Sequence, residues 1–196
     1  MILNHYLIKN FFNSIIAENI KPIQIPPEFT SCVHDPEFRG YMLDIPGREH
    51  YALLYSISLL IDGETLIDIG TYKGCSALAL SANPKNKVMS FDINNSNILY
   101  PAPGNVQFIL DNVFAPEYKD AILASPFIML DTDHDGIFEQ RFVEYLDSIK
   151  YQGFVMFDDI YLNDAMKKFW QNQSHRKIND LTIAGHWSGT GVIEYE

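Results

Sequence analysis

Asp68-Ile-Gly-Thr-Tyr-Lys-Gly-Cys-Ser76 joins an acid, two glycines four positions apart and a hydroxyl within nine residues. Glycines let a chain turn tightly and bring bare backbone N–H groups up to a ligand, so this stretch reads as a binding loop. Its spacing is neither G-x-G-x-x-G nor G-x-x-x-x-G-K-[ST], and a dinucleotide or nucleoside triphosphate is therefore not the expected ligand. An acid ahead of G-x-x-x-G suits a ligand with a cationic or hydroxyl-bearing end. Asp92 follows Asp68 by 24 residues, the separation at which an acid accepts hydrogen bonds from ribose hydroxyls. The expected ligand contains a nucleoside but no diphosphate.

A second group of residues is Asp131, Asp133, His134, Asp158 and Asp159. Three carboxylates brought together attract a hard divalent cation, with Mg²⁺ the usual occupant. Asp133 and His134 stand beside them as candidate bases for a substrate hydroxyl that such a cation would acidify. A plainer reading makes Asp158 a helix cap and His134 a structural hydrogen-bonding residue.

These residues can act together only if the elements carrying them end on one edge. Thr65–Ile69, Lys87–Asp92, Val106–Leu110, Pro126–Asp131 and Phe154–Asp159 are short apolar runs that read as strands. Thr65–Ile69, Lys87–Asp92, Pro126–Asp131 and Phe154–Asp159 carry an acid at or beside the C-terminal end. Helices are expected at Arg48–Asp62, at 74–82, near 137–150 and near 163–172. Two closing strands, about 176–184 and 190–195, read as an antiparallel pair joined through Gly185 and Gly189. Alternating strands and helices mean a parallel sheet covered on both faces. The expected class is α/β: a Rossmann-like three-layer sandwich whose mostly parallel, seven-stranded sheet ends in an antiparallel hairpin. Asp68, Asp92, Asp131, Asp158 and Asp159 then line the carboxyl edge, where open α/β sheets bind ligands. Ionised carboxylates are costly to bury unpaired, which argues against a packing role for all five.

Residues 1–20 contain Leu3, Leu7, Phe11 and Ile15 at every fourth position, an amphipathic helix. Five prolines punctuate 21–47, which reads as an irregular connector, and Ile93–Gly104 reads as a connector without a full helix. The expected division is 1–46, a docking or lid segment, and 47–196, the ligand-binding domain. The N-terminal run lacks a basic start and a cleavage site and is interrupted by Lys9 and Glu18, so a signal peptide is not expected. It is also too short and polar to span a membrane, and a cytoplasmic location is the expectation. The 196 residues carry a formal net charge of −11, which disfavours nucleic-acid and anionic-membrane partners. Cys32 and Cys75 have no metal-site spacing and are too few for a disulfide framework; Cys75 reads as a small packing residue.

The motif Asp68-Ile-Gly-Thr-Tyr-Lys-Gly-Cys-Ser76, with the helix before it, resembles that of class I S-adenosylmethionine-dependent methyltransferases. It is most similar to the catechol and caffeoyl-CoA O-methyltransferase group and its bacterial relatives acting on sugars and natural products. The resemblance covers about residues 45–195. It implies that Asp68, Gly70, Thr71, Tyr72, Gly74 and Ser76 form the loop that binds the methionine part of S-adenosylmethionine, with Ser76 on its carboxylate. It implies Asp92 on the ribose and Asp111-Asn112 near adenine, Asn112 standing where an acid is usual. It also implies a metal site of Asp131, Asp158 and Asp159, with Asp131 beside the cofactor too. The base is either His134, where the catechol enzymes have Lys, or Asp133, as in some bacterial sugar methyltransferases. The implied function is metal-assisted O-methylation of a small phenol, sugar or natural product, by a chain that could form a homodimer. Three other readings stand beside it: a metal-independent methyltransferase, a noncatalytic binding subunit, and a nicotinamide oxidoreductase, the last weakened by the missing G-x-G-x-x-G.

Overall fold

Strand side chains alternate between faces, and in this chain both alternating sets are apolar. On β1 (Thr65–Ile69), Leu66 belongs to one buried cluster, while Ile67 and Ile69 belong to another. Only a sheet covered on both faces can bury both sets. The computed structural model, which describes residues 2–15, 22–44, 47–95, 99–173, 177–180 and 187–196, has this arrangement.

Along the chain come α1 (Ile2–Ser14), α2 (Pro36–Leu43), α3 (Arg48–Leu60), β1, α4 (Cys75–Leu80), β2 (Lys87–Asp92) and β3 (Val106–Leu110). There follow α5 (Lys119–Ala124), β4 (Phe127–Leu130), α6 (Ile137–Ile149), β5 (Gly153–Asp158), α7 (Asp164–Asn172), β6 (Lys177–Asp180) and β7 (Thr190–Tyr195). The sheet order is β3-β2-β1-β4-β5-β7-β6. Pairings through β5 are parallel, while β7 runs antiparallel to both β5 and β6. The mixed α/β sandwich is therefore as expected. Residues 181–186, which include the end of one expected strand and Gly185, lie outside the described residues.

One face packs Leu66, Val88, Phe127, Met129, Phe154 and Met156 against Ile8 and Phe12 of α1, Leu53, Leu54 and Ile57 of α3, and Ala77 and Leu78 of α4. The other packs Ile67, Ile69, Phe91, Ile128, Leu130 and Phe157 against Ile122 of α5, Phe142 and Leu146 of α6, and Phe169 and Trp170 of α7.

Two expectations need correction. Residues 21–47 are not merely a connector: Asp35 caps α2 by accepting from the Glu37 N–H at 3.0 Å, and Pro36 takes the first helical position. Proline there starts a helix, because its missing N–H would be unsatisfied anyway and its φ is already helical. The β3–β4 crossover, for which the sequence suggested no element, holds the short helix α5. On α1 the buried face is Ile8 and Phe12, followed by buried Ile15 just past its end, while Leu3 is 69% exposed. A strict four-residue spacing drifts off a 3.6-residue turn, so the two ends of the expected line cannot share a face.

Candidate active site

The strand order reverses direction between β1 and β4, and in such a sheet the carboxyl ends on either side of that switch part to leave a crevice. Here the crevice is a cleft of about 520 Å³, within the usual size range of small-molecule sites. It is lined by the ends of β1 (Ile69, Gly70, Tyr72), β2 (Phe91, Asp92), β3 (Asp111, Asn112) and β4 (Asp131, Thr132, Asp133, His134), with Phe138 from α6.

The loop after β1 is shaped by what surrounds it. Gly70 has φ +94°, and a Cβ there would lie 1.5 Å from the Asp131 carbonyl oxygen. Only glycine permits that approach of β1 to β4. The N–H groups of Gly70 and Thr71 both donate to the Phe91 carbonyl, at 2.9 and 3.1 Å. Gly74, with φ +88°, turns the chain into α4. The Tyr72 N–H donates to Asp92 Oδ2 at 2.7 Å, and the Asn94 N–H donates to Asp92 Oδ1 at 2.8 Å. Asp92 is thereby oriented at the cleft wall, with lone pairs remaining on each oxygen.

Asp68, Gly74 and Ser76 are buried and are not among the residues lining the cleft. Ser90 Oγ donates to Asp68 Oδ2 at 2.6 Å and lies 2.6 Å from Thr71 Oγ1. Burial pushes the Asp68 carboxyl up to about 6, against the hydroxyls of Ser90 and Ser76, which hold it lower. Asp68 thus supports the loop from beneath. Sequence reasoning missed Ser90, whose position on a buried strand signals only packing. Burial also pushes the Cys75 thiol up to about 12, as suits a packing residue.

At the β3 end, Asp111 Oδ2 accepts from the Tyr118 hydroxyl at 2.9 Å, and Asn112 Oδ1 accepts from the Phe114 N–H at 3.1 Å. Both residues are exposed at the cleft.

Beyond β4 the acids and histidines meet. His134 Nε2 stands 3.2 Å from Asp131 Oδ1 and 3.2 Å from Asp159 Oδ2. His134 and Asp159 have φ +53° and +57°, a left-handed backbone that side chains rarely adopt and that collects at functional sites. The Asn163 amide donates to the His134 carbonyl at 2.8 Å, tying the two loops together. Asp158 instead has its Oδ1 3.4 Å from Nδ1 of the buried His50, on α3. Asp133 lines the cleft with its side chain exposed. The Asp131 carboxyl is held well above the ordinary range, first by burial and then by Asp158, Asp159, Asp68 and Glu139. Glu139 is buried in the first turn of α6 and accepts from the Thr132 hydroxyl at 3.0 Å. His50 and Glu139 were not singled out in the sequence, because each sits in a helical pattern far along the chain from the strand ends.

The donors as placed do not fit a metal site. An imidazole nitrogen stands between two of the carboxylates and the third is engaged by His50, whereas a hard cation takes a cage of oxygens. Among the described residues no group of three or more His, Cys, Asp or Glu side chains is placed to hold one. Near the site, Tyr41 and Trp187 are exposed, and the Tyr161 hydroxyl donates to Asp180.

No family model matches the chain, and neither does any curated protein. Solved structures do. The SAH-bound methyltransferase PaMTH1 of Podospora anserina superposes with a TM-score of 0.60 at 16% identity, over 87% of this chain and 86% of that one. A putative caffeoyl-CoA O-methyltransferase from Staphylococcus aureus gives 0.59 at 16% identity, over 100% of both chains. The O-methyltransferase TomG of Streptomyces achromogenes, solved with SAM and involved in tomaymycin synthesis, gives 0.55 at 12% identity over 96% of both. Together with the strand order and the antiparallel β7, these likenesses establish that the chain has the class I methyltransferase fold.

Proposed function

We propose that this protein is an S-adenosylmethionine-dependent O-methyltransferase acting on a hydroxyl of a small molecule. The observation that carries the reading is that one cleft runs from Asp92 to His134, so a nucleoside-bearing cofactor and a proton acceptor share it. Structural neighbours solved with SAM or SAH support the cofactor.

When bound, S-adenosylmethionine supplies an electrophilic methyl group on a sulfonium. Asp92 accepts hydrogen bonds from the ribose hydroxyls, Asp111 and Asn112 border the adenine, and Gly70 and Tyr72 shape the wall along the methionine part, with Thr71 buried behind them. Asp68, Gly74 and Ser76 hold that wall from behind. The acceptor's hydroxyl displaces one of the two carboxylates from His134 Nε2 and gives its proton to that atom, and the charge of Asp131 and Asp159 stabilises the imidazolium that results. Asp133 is the alternative base.

Calorimetry with S-adenosylhomocysteine tests the cofactor. The expectation is saturable binding that Asp92→Ala weakens about tenfold or more, as loss of a charge-assisted hydrogen bond implies. No binding to the wild-type chain rejects the reading. With any hydroxylated phenol or sugar found to accept labelled methyl, His134→Ala is expected to slow turnover about 10²- to 10⁴-fold, the range of general-base catalysis. Wild-type turnover by that variant moves the role to Asp133.

A metal-assisted form is the second reading. It would need His134 to turn away from Asp131 and Asp159, and Asp158 from His50, so that three carboxylates meet one cation. Turnover abolished by EDTA and restored by Mg²⁺ is its expected result; turnover indifferent to EDTA rejects it.

A further inference from the structure

We infer that Phe38 is a positioning residue for the cofactor end of the cleft, acting through Tyr72. This rests on the cofactor reading above and extends the site to α2, which lies outside the segment carrying the family motif.

Tyr72 is unusual in three ways. Its φ is +39°, a left-handed value disfavoured for a bulky side chain. The residue is 57% exposed yet helps line the cleft. Its N–H donates to Asp92 Oδ2 at 2.7 Å, so the orientation of this one residue also bears on the carboxylate placed for ribose. A residue so exposed keeps one ring orientation only if something outside its own loop holds it.

Phe38 supplies that contact. Its ring meets the Tyr72 ring edge-on, with centroids 5.6 Å apart and planes at 72°. That is the geometry in which the positive edge of one ring faces the negative face of another. The Lys73 ammonium lies 4.9 Å from the Tyr72 centroid and 5.7 Å from that of Phe38, a cation shared by both rings. Tyr41 backs Phe38 from the other side at 5.8 Å and 76°. The foundation of this stack is α2, which Asp35 caps and which packs on α3. The helix from the proline-rich segment therefore reaches the binding loop through Phe38, which meets both Tyr72 and Lys73, and cofactor affinity depends on that contact.

A double-mutant cycle read by calorimetry with S-adenosylhomocysteine tests this, with melting temperatures measured alongside. Phe38→Ala and Tyr72→Ala are each expected to weaken binding about three- to tenfold, the worth of an aromatic pair. The double variant is expected to be no weaker than the weaker single within about twofold, because the two residues act as one unit. Phe38→Tyr, which keeps the ring edge, restores wild-type affinity, whereas Phe38→Leu, which keeps apolar volume alone, does not. Losses that multiply in the double variant, full rescue by Phe38→Leu, or a lowered melting temperature with unchanged affinity each overturn the inference while leaving the cofactor reading intact. Absence of binding to the wild-type chain overturns both.

Discussion

Asp68 carries an acid where no water reaches it, and the consequence is measurable. Its carboxyl sits at about 6 in the folded chain, against about 3.9 for an unfolded Asp. The folded state therefore holds the proton more tightly between those values, and this group's contribution to stability falls as pH rises from about 4 to 6. Above pH 6 the cost is constant, at about 3 kcal/mol by linkage. Below pH 4 it vanishes, since both states are protonated. Asp68→Asn retains an oxygen for the Ser90 hydroxyl and removes the charge. It is expected to match wild type in thermal melts near pH 4 and to be the more stable of the two at pH 7. A gap that does not widen over that interval contradicts the assignment. The acid at the head of the loop was plain from its place at a strand end. Its burial was not, because Ser90 reaches it from another strand.

At the scale of elements, the loop after β4 and the start of α7 are one unit. Asn163 caps α7, accepting from the Met166 N–H at 3.0 Å, while its amide donates to the His134 carbonyl at 2.8 Å. One side chain thus starts a helix and fixes the backbone of the candidate base in its left-handed conformation. The two roles separate by substitution. Asn163→Ala is expected to cost about 1 kcal/mol in urea unfolding, the usual value of an N-cap, and to lower turnover as well. Asn163→Asp keeps the cap but cannot donate to His134, so stability should stay within a few tenths of a kcal/mol while turnover still falls. Equal turnover by the two chains would show that the carbonyl contact does not hold the base. The helix start was legible in the sequence. The bond back to residue 134 joins positions 29 apart and has no local signature.

Across the whole molecule, α1 is as much part of the core as the sheet it covers. Phe12 is fully buried, with its ring 6.3 Å from that of Phe127 on β4 and 5.8 Å from that of Phe154 on β5. The outer side of the helix is tied to β7, where Glu194 lies 2.8 Å from both His5 Nε2 and Lys9 Nζ. Removing a buried phenyl ring leaves a cavity that close packing cannot fill, so Phe12→Ala is expected to cost about 3–5 kcal/mol. The check is urea unfolding of the full chain: a loss near zero would mean that α1 lies on the sheet without stabilising it.

Period, punctuation and strand-end acids were enough to order the elements around the sheet and to place Asp92, Asp131 and His134 on one edge, because those signals are local and repeat at each strand. The chain alone also shows Gly70 to be a turn residue. That it must be glycine because β4 passes 1.5 Å from where a Cβ would stand is a tertiary fact. So are the approach of Asp158 to His50, the buried Glu139 behind Thr132, and the reach of Phe38 to Tyr72. Each joins residues distant in sequence through contacts that only the packed layers create, and side-chain direction at a strand end is decided by those neighbours rather than by the strand.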